Sequence, residues 1–292
     1  MFQGGDSKAW IKRCKIMQVQ EIELKKIYTL KGGKLKCITM ENPWDVGHEN
    51  WQRPAVIVVP GGGYALCSRR EAVPVASRFF AKGFQTFVLE YLCRPQGAAY
   101  PEQLLELACA VDYVRKNAKR FHVNAEEIFV IGFSAGGHLT ANLAVEHHQI
   151  CKKFNMNVDS TPKAVALCYP VISNKFAYKG THENLLFPYS ETEKTDLLKT
   201  LNVDESVSSQ TPPSFIWTTV EDDVVPPENA LAFAMALQKH KISYELHVYP
   251  NGAHGTSTCG WEVNEKANNL EKASAWVDEC IAFFRSYCQE KF

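Results

Sequence analysis

The sequence predicts an α/β fold, with a mainly parallel central sheet, helices on both faces and a cap-like insertion at about 173–213. Three observations carry that expectation. Short apolar, β-branched runs such as Ala55-Val56-Ile57-Val58-Val59 lack the polar alternation of a half-exposed strand, as expected where both sheet faces are covered. Segments with apolar residues at helical spacing separate these runs, as at Leu104, Leu105, Leu107, Ala108, Val111 and Val114,. Glycine-rich turns close several runs, and the alternation of strand and helix implies parallel strands.

Taken in order, strands are expected at Gln18 to Tyr28 and Lys34 to Met40, followed by the run at 55 to 59 and a helix from Glu71 to Lys82. A strand from Gln85 to Tyr91 and a helix from Glu102 to Arg120 come next. The run Ile128-Phe129-Val130-Ile131 precedes a helix-like His138 to Ala144, and Ala164 to Tyr169 is the next strand. Ser214 to Val220 and Tyr244 to Tyr249 read as strands, with helices at Pro227 to His240 and Asn268 to Gln289. The stretch Ser173 to Pro213 breaks the alternation and carries Phe176, Tyr178, Phe187 and Tyr189 among polar residues. It is too long for an idle connection and is read as a cap. The absence of repeats or low-complexity linkers favours one domain over 1–292.

Composition narrows the class. A chain of 292 residues with 46% hydrophobic and 22% charged residues can bury a large core. Its 32 basic residues balance 32 acidic ones, which argues against nucleic acid or an anionic membrane surface as a partner. Charged residues interrupt the first 26 positions, so no targeting or spanning segment is read there and a cytoplasmic protein is expected. Ten cysteines without a Cys-x-x-Cys pair read as reduced thiols, those at Cys37, Cys93, Cys109, Cys168 and Cys280 as small buried hydrophobes. His138, His147 and His148 read as packing or surface residues, and neither metal nor cofactor is expected.

The chemistry concentrates in four places. Gly132-Phe133-Ser134-Ala135-Gly136 lies between a strand and a helix, the context of a serine held on a sharp turn, where flanking glycines avoid the clash a Cβ would make. A serine needs a base and an orienting carboxylate to become a nucleophile. Glu221-Asp222-Asp223 closes one strand and Gly252-Ala253-His254-Gly255 follows another, so a carboxylate and His254 arrive in the order Ser, Asp, His. Pro60-Gly61-Gly62-Gly63-Tyr64 follows the run at 55 to 59, and consecutive glycines can turn N–H groups toward a carbonyl oxygen.

These blocks, with Ser68-Arg69-Arg70-Glu71, Asp222-x-x-Val225-Pro226-x-Glu228-Asn229 and Gly252-x-His254-Gly255, give the chain its resemblance to α/β-hydrolase esterases, in the group of acetyl xylan esterases and related carbohydrate or feruloyl esterases. The resemblance spans roughly residues 50 to 260, with about 170 to 210 unmatched. It implies Ser134 as nucleophile, His254 as base and then acid, and Gly62, Gly63 and Ala135 as oxyanion donors. Among three adjacent carboxylates, the family spacing to Val225-Pro226 favours Asp222. Where many such esterases have His-Gly-Gly-Gly, this chain has Pro60; the donors are backbone groups, so the change need not harm them.

The implied activity is removal of short acyl groups, acetyl above all, from an oligosaccharide or other small ester. A peptidase or amidase with the same residues is the alternative, and a hydrolase-like binding module a further one that the surviving triad disfavours. Arg70-Glu71 reads as an ion pair rather than a substrate contact. Of two tryptophans that could stack on a sugar, Trp217 lies in a strand and is expected in the core, which leaves Trp261. A homo-oligomer is compatible with the sequence.

Overall fold

A computed structural model describes residues 17–42, 47, 50–176, 180–265 and 270–289. Tyr178, the start of the expected last helix at 268–269, and residues 1–16 lie outside them. Eight strands form one sheet: β1 (Met17–Glu23), β2 (Lys34–Met40), β3 (Arg53–Val59), β4 (Gln85–Glu90), β5 (Val123–Phe133), β6 (Val165–Cys168), β7 (Ser214–Thr219) and β8 (Tyr244–Tyr249). Their spatial order is β1-β2-β4-β3-β5-β6-β7-β8. Neighbours from β4 to β8 pair in parallel, whereas β2 is antiparallel to both β1 and β4. The expected mainly parallel sheet is the one observed.

Helices α1 (Val73–Ala81), α2 (Glu102–Lys116), α3 (Ala135–Glu146), α4 (Ile150–Phe154), α5 (Gly180–Leu185), α6 (Glu191–Leu201), α7 (Glu228–Lys239) and α8 (Trp276–Ser286) follow. They divide between the sheet faces as the period-two alternation of the strands requires. Ile57 and Val130 join the cluster with Leu104 of α2, Leu139 of α3 and Phe233 of α7. Their neighbours Val58 and Phe129 join the opposite cluster with Phe79 of α1 and Phe284 of α8. Phe129 and Phe284 stack with centroids 4.4 Å apart, and Trp217 stacks on Trp276 at 5.2 Å. Trp217 is therefore core, as expected; Trp261 is 83% exposed. The five cysteines assigned to apolar elements are buried, and all nine described cysteines are free.

The element boundaries differ in instructive ways. The first strand stops at Glu23 because Leu24 turns inward, fully buried, into a 3-10 turn whose N–H donates to the Gly33 carbonyl at 2.9 Å. The helix expected from Glu71 begins at Val73, after a separate 3-10 turn at Arg69–Glu71. α2 ends at Lys116 and α8 begins only at Trp276. Two helices unanticipated from the pattern, α5 and α6, lie within 173–213. A Ser190 capping box starts α6: its hydroxyl accepts from Glu193 N–H while the Glu193 carboxylate accepts from the Ser190 N–H at 2.8 Å,.

The chain leaves β3 toward β4 on one side and returns to β5 on the other, so the order reverses between β3 and β5. Open α/β sheets place ligands outside the strand carboxyl ends at such a reversal. The loop Gly61–Gly63 and residue Ser134 both emerge there.

Candidate active site

Ser134 sits at the end of β5 with φ 52° and ψ −119°, a conformation that costs a non-glycine residue of order 1–3 kcal/mol,. The surroundings enforce it. A Cβ on Gly132 would lie 2.1 Å from the Gly136 carbonyl oxygen, and one on Gly136 would lie 2.3 Å from the Pro60 oxygen, so only glycines let strand, turn and helix approach this closely. The Ser134 N–H donates to the Cys168 carbonyl at 3.0 Å, and its own carbonyl accepts from His138 and Val171.

The hydroxyl points at the histidine loop. Ser134 Oγ lies 2.8 Å from His254 Nε2, and His254 Nδ1 lies 2.7 Å from Asp222 Oδ2. Asp222 is 4% exposed, and its second oxygen accepts N–H donors from Val224 and Val225 at 3.1 and 2.8 Å. With Nδ1–H donating to the carboxylate, Nε2 is left as the acceptor for the serine proton.

The three carboxylates at 221–223, among which the family spacing favours Asp222, are placed differently. Glu221 turns to the histidine loop itself, accepting from the Gly252 N–H and the Asn251 amide at 3.0 Å each. Those bonds hold its carboxyl below the ordinary glutamate range. Asp223 is exposed. Thr219 adds a hydroxyl bond to the Gly252 carbonyl at 2.5 Å, so two residues at the end of β7 pin the loop that carries His254.

On the other side, Gly61 packs against the nucleophile: a Cβ there would fall 2.9 Å from Ser134 Cβ. Gly62 and Gly63 follow with φ of 122° and 61°. Ala135, the first residue of α3, brings its N–H to the same end, where the helix N-terminus favours negative charge,. Gly61 and Ala135 thus flank Ser134, and Gly62 and Gly63 continue the loop from Gly61.

Described residues of the 173–213 segment reach this end. Asn184 of α5 donates to the Gly63 carbonyl at 2.8 Å and accepts from Arg94. His138, one turn into α3, has its Nδ1 2.8 Å from the Tyr64 hydroxyl and its Nε2 2.8 Å from the Leu201 carbonyl at the end of α6. The His182 ring of α5 meets it edge to face with centroids 5.0 Å apart. Burial holds the His138 pKa down to about 4, and burial together with His138 holds His182 down to about 3, so both are neutral packing groups.

One expectation fails. Glu71 does not pair with Arg70: it is 3% exposed, and its oxygens accept from the Gly61 N–H and the Tyr169 hydroxyl. Tyr169, immediately after β6, was not singled out by any sequence signal. Its left-handed φ of 36° and its contact with His254 arise from the tertiary fold. Among the described residues no group of three or more His, Cys, Asp or Glu side chains is placed to hold a metal, and no helix is long and apolar enough to cross a membrane.

The BD-FAE family model matches residues 46–237, a span that includes Gly62, Gly63, Ser134 and Asp222 but stops short of His254. Endo-1,4-beta-xylanase B of Butyrivibrio fibrisolvens is 33% identical over 230 residues, 75% of this chain and 36% of that protein. Acetylxylan esterase of Xylanibacter ruminicola is 28% identical over 235 residues, 78% of this chain and 44% of that protein. The chain thus spans less than half the length of these relatives. Among solved structures, the acetyl ester-xyloside bifunctional hydrolase from Caldicellulosiruptor lactoaceticus superposes with a TM-score of 0.78 at 32% identity, covering 94% of this chain and 98% of that one. MGS-M1, an alpha/beta hydrolase enzyme from a Medee basin deep-sea metagenome library, gives 0.73 at 30% identity, with 93% and 98% covered. The α/β-hydrolase fold and the resemblance to acetyl xylan esterases are both as expected.

Proposed function

The chain belongs to the BD-FAE family, and from that premise we propose that it is a serine carboxylic ester hydrolase that removes short acyl groups, acetyl foremost, from carbohydrate such as xylo-oligosaccharides. The observation that carries the reading is the hydrogen-bonded line from Ser134 Oγ through His254 to Asp222, set beside a glycine loop. The names of an acetylxylan esterase and an acetyl ester-xyloside hydrolase among its relatives supply the substrate class.

In this mechanism Ser134 Oγ attacks the acyl carbon as its proton passes to His254 Nε2. Asp222 holds the imidazole in the required tautomer and stabilises the imidazolium. The oxygen that becomes negative is met by the N–H groups of Gly62, Gly63 and Ala135, each well-placed donor worth roughly 3–4 kcal/mol. Collapse breaks the ester C–O bond, and His254 returns the proton to the leaving sugar hydroxyl. Water, deprotonated by His254, then attacks the acyl-enzyme and releases the acid and free Ser134. Asn184 and the α5 to α6 segment act as the cap that borders the acyl site.

The test is hydrolysis of 4-nitrophenyl acetate, butyrate and octanoate by wild type and Ser134→Ala, with acetate release from acetylated xylo-oligosaccharides assayed in parallel. Preference for acetyl, release from the sugar and loss of both in Ser134→Ala are expected. Full activity in Ser134→Ala would end the proposal, and sugar esters cleaved no faster than 4-nitrophenyl acetate would remove the carbohydrate preference.

A further inference from the structure

Glu71 is a carboxyl group at 3% exposure, and burial of such a group is costly unless its oxygens are satisfied. Its two partners are therefore informative. The Gly61 N–H, one residue before Gly62, donates to Oε2 at 2.9 Å. The Tyr169 hydroxyl donates to Oε1 at 2.8 Å. That same hydroxyl oxygen accepts the Ser257 N–H at 2.9 Å, three residues beyond His254, and the Tyr169 ring meets the His254 imidazole at a steep angle with centroids 5.1 Å apart. Ser257 Oγ donates to the Arg70 carbonyl at 2.6 Å, so the Arg69–Glu71 turn holds the histidine loop twice.

We infer that Glu71 and Tyr169 form a positioning pair that sets the spacing between the oxyanion loop and the histidine loop around Ser134, an assignment that rests on the hydrolase reading above. The two loops leave β3 and β8, which are separated in the sheet by β5, β6 and β7, so the strands that carry them do not pair directly. The bridge Gly61 N–H, Glu71, Tyr169, Ser257 N–H spans that gap. Its polarity is specific. Gly61 N–H and Tyr169 O–H are both donors, and a carboxylate offers an acceptor to each, whereas a carboxamide offers one oxygen and one NH₂. Tyr169 remains a donor because burial, and then the charge of Glu71, hold its phenol well above the usual tyrosine range. The backbone of both loops approaches this turn closely: a Cβ on Gly61 would lie 2.8 Å from Glu71 Oε2, and one on Gly255 would lie 3.2 Å from Arg70 Nη2.

The experiment measures kcat, KM and thermal midpoint for wild type, Ser134→Ala, Glu71→Gln, Tyr169→Phe and the Glu71→Gln/Tyr169→Phe double variant, with 4-nitrophenyl acetate as substrate. Misplacement of about 1 Å costs about 10²-fold in rate. Each single variant should therefore lose about 10²-fold in kcat with KM within about threefold, and the double variant should lose no more, because the two act as one unit. A kcat within about twofold of wild type in a folded single variant, whatever its midpoint, reduces the bridge to a structural role and overturns the assignment. Losses that multiply in the double variant overturn the pairing. If Glu71→Gln fails to fold, Tyr169→Phe, which lacks a single oxygen, decides the matter alone. Turnover retained by Ser134→Ala would instead bring down the hydrolase reading, a result distinct from an inert Ser134→Ala beside fully active Glu71 and Tyr169 variants.

Discussion

Asp222 Oδ2 lies 2.7 Å from His254 Nδ1, while Oδ1 is held by the Val224 and Val225 N–H groups. Both carboxylate oxygens thus accept, and the Asp222 side chain cannot rotate without losing bonds on each side. Asp222→Asn keeps the volume but can present NH₂ to the imidazole and favour the wrong tautomer. The expected result is a kcat lower by about 10⁴-fold with the fold retained, read from steady-state kinetics beside circular dichroism. Glu221→Gln, outside this line, should stay within about tenfold of wild type.

The glycine loop yields a contrast between neighbours. A Cβ on Gly62 would fall 2.2 Å from the Leu66 carbonyl oxygen at φ +122°, whereas one on Gly63 meets nothing within 4 Å. Gly62→Ala must move the loop and should lose about 10²- to 10³-fold in kcat, the value of a displaced oxyanion donor. Gly63→Ala has room and carries only the left-handed penalty of about 1–2 kcal/mol. It should therefore lower the unfolding free energy more visibly than the turnover.

Asn184 ties the inserted segment to the Gly63 carbonyl at 2.8 Å. Removing that hydrogen bond in Asn184→Ala releases about 1 kcal/mol of restraint. An effect of up to about tenfold on kcat/KM for 4-nitrophenyl acetate is expected, with a larger one for acetylated xylo-oligosaccharides if the segment borders the substrate. Equal effects on the two substrates would mean that the segment only supports the loop.

Two buried groups give stability opposite pH dependences over overlapping windows,. Burial raises the Glu106 pKa to about 8 from an ordinary 4.5. The folded state then keeps a proton that the unfolded chain releases, and stability present below about pH 4.5 is lost as pH rises toward 8, at up to about 1.4 kcal/mol per pH unit. His138 works in the opposite direction. Its folded pKa near 4, against an ordinary 6.5, gives stability present above 6.5 and lost as pH falls toward 4. Denaturant unfolding across pH 4 to 8.5 checks both, and Glu106→Gln should remove the decline between about 4.5 and 8 while leaving the His138 loss between 6.5 and about 4,.

Much of the site was legible in the chain because its parts are local. A glycine on each side of Ser134, a glycine run after a buried strand and a histidine after the last strand are demands of backbone conformation, and such demands show in the neighbouring residues. Asp222 was less distinct, since three adjacent carboxylates satisfy the same pattern. Only the direction of the turn after β7 sends Asp222 toward His254, Glu221 toward Gly252 and Asp223 to solvent. α5 and α6 were missed because their stretch is polar and their apolar residues are few, so periodicity had little to register.

By itself the sequence determined the alternation of strands and helices, the elbow at Ser134 and the order in which serine, carboxylate and histidine follow the strands. These depend on residues within a few positions of one another. The tertiary structure decided which carboxylate pairs with His254, that Glu71 faces Gly61 and Tyr169 instead of Arg70, and that Asn184 reaches the Gly63 carbonyl. Those choices join groups 10 to 121 residues apart in the chain. They arise because packing helices against both sheet faces brings distant loops to one strand end, where each buried polar group must take a partner that no local pattern specifies.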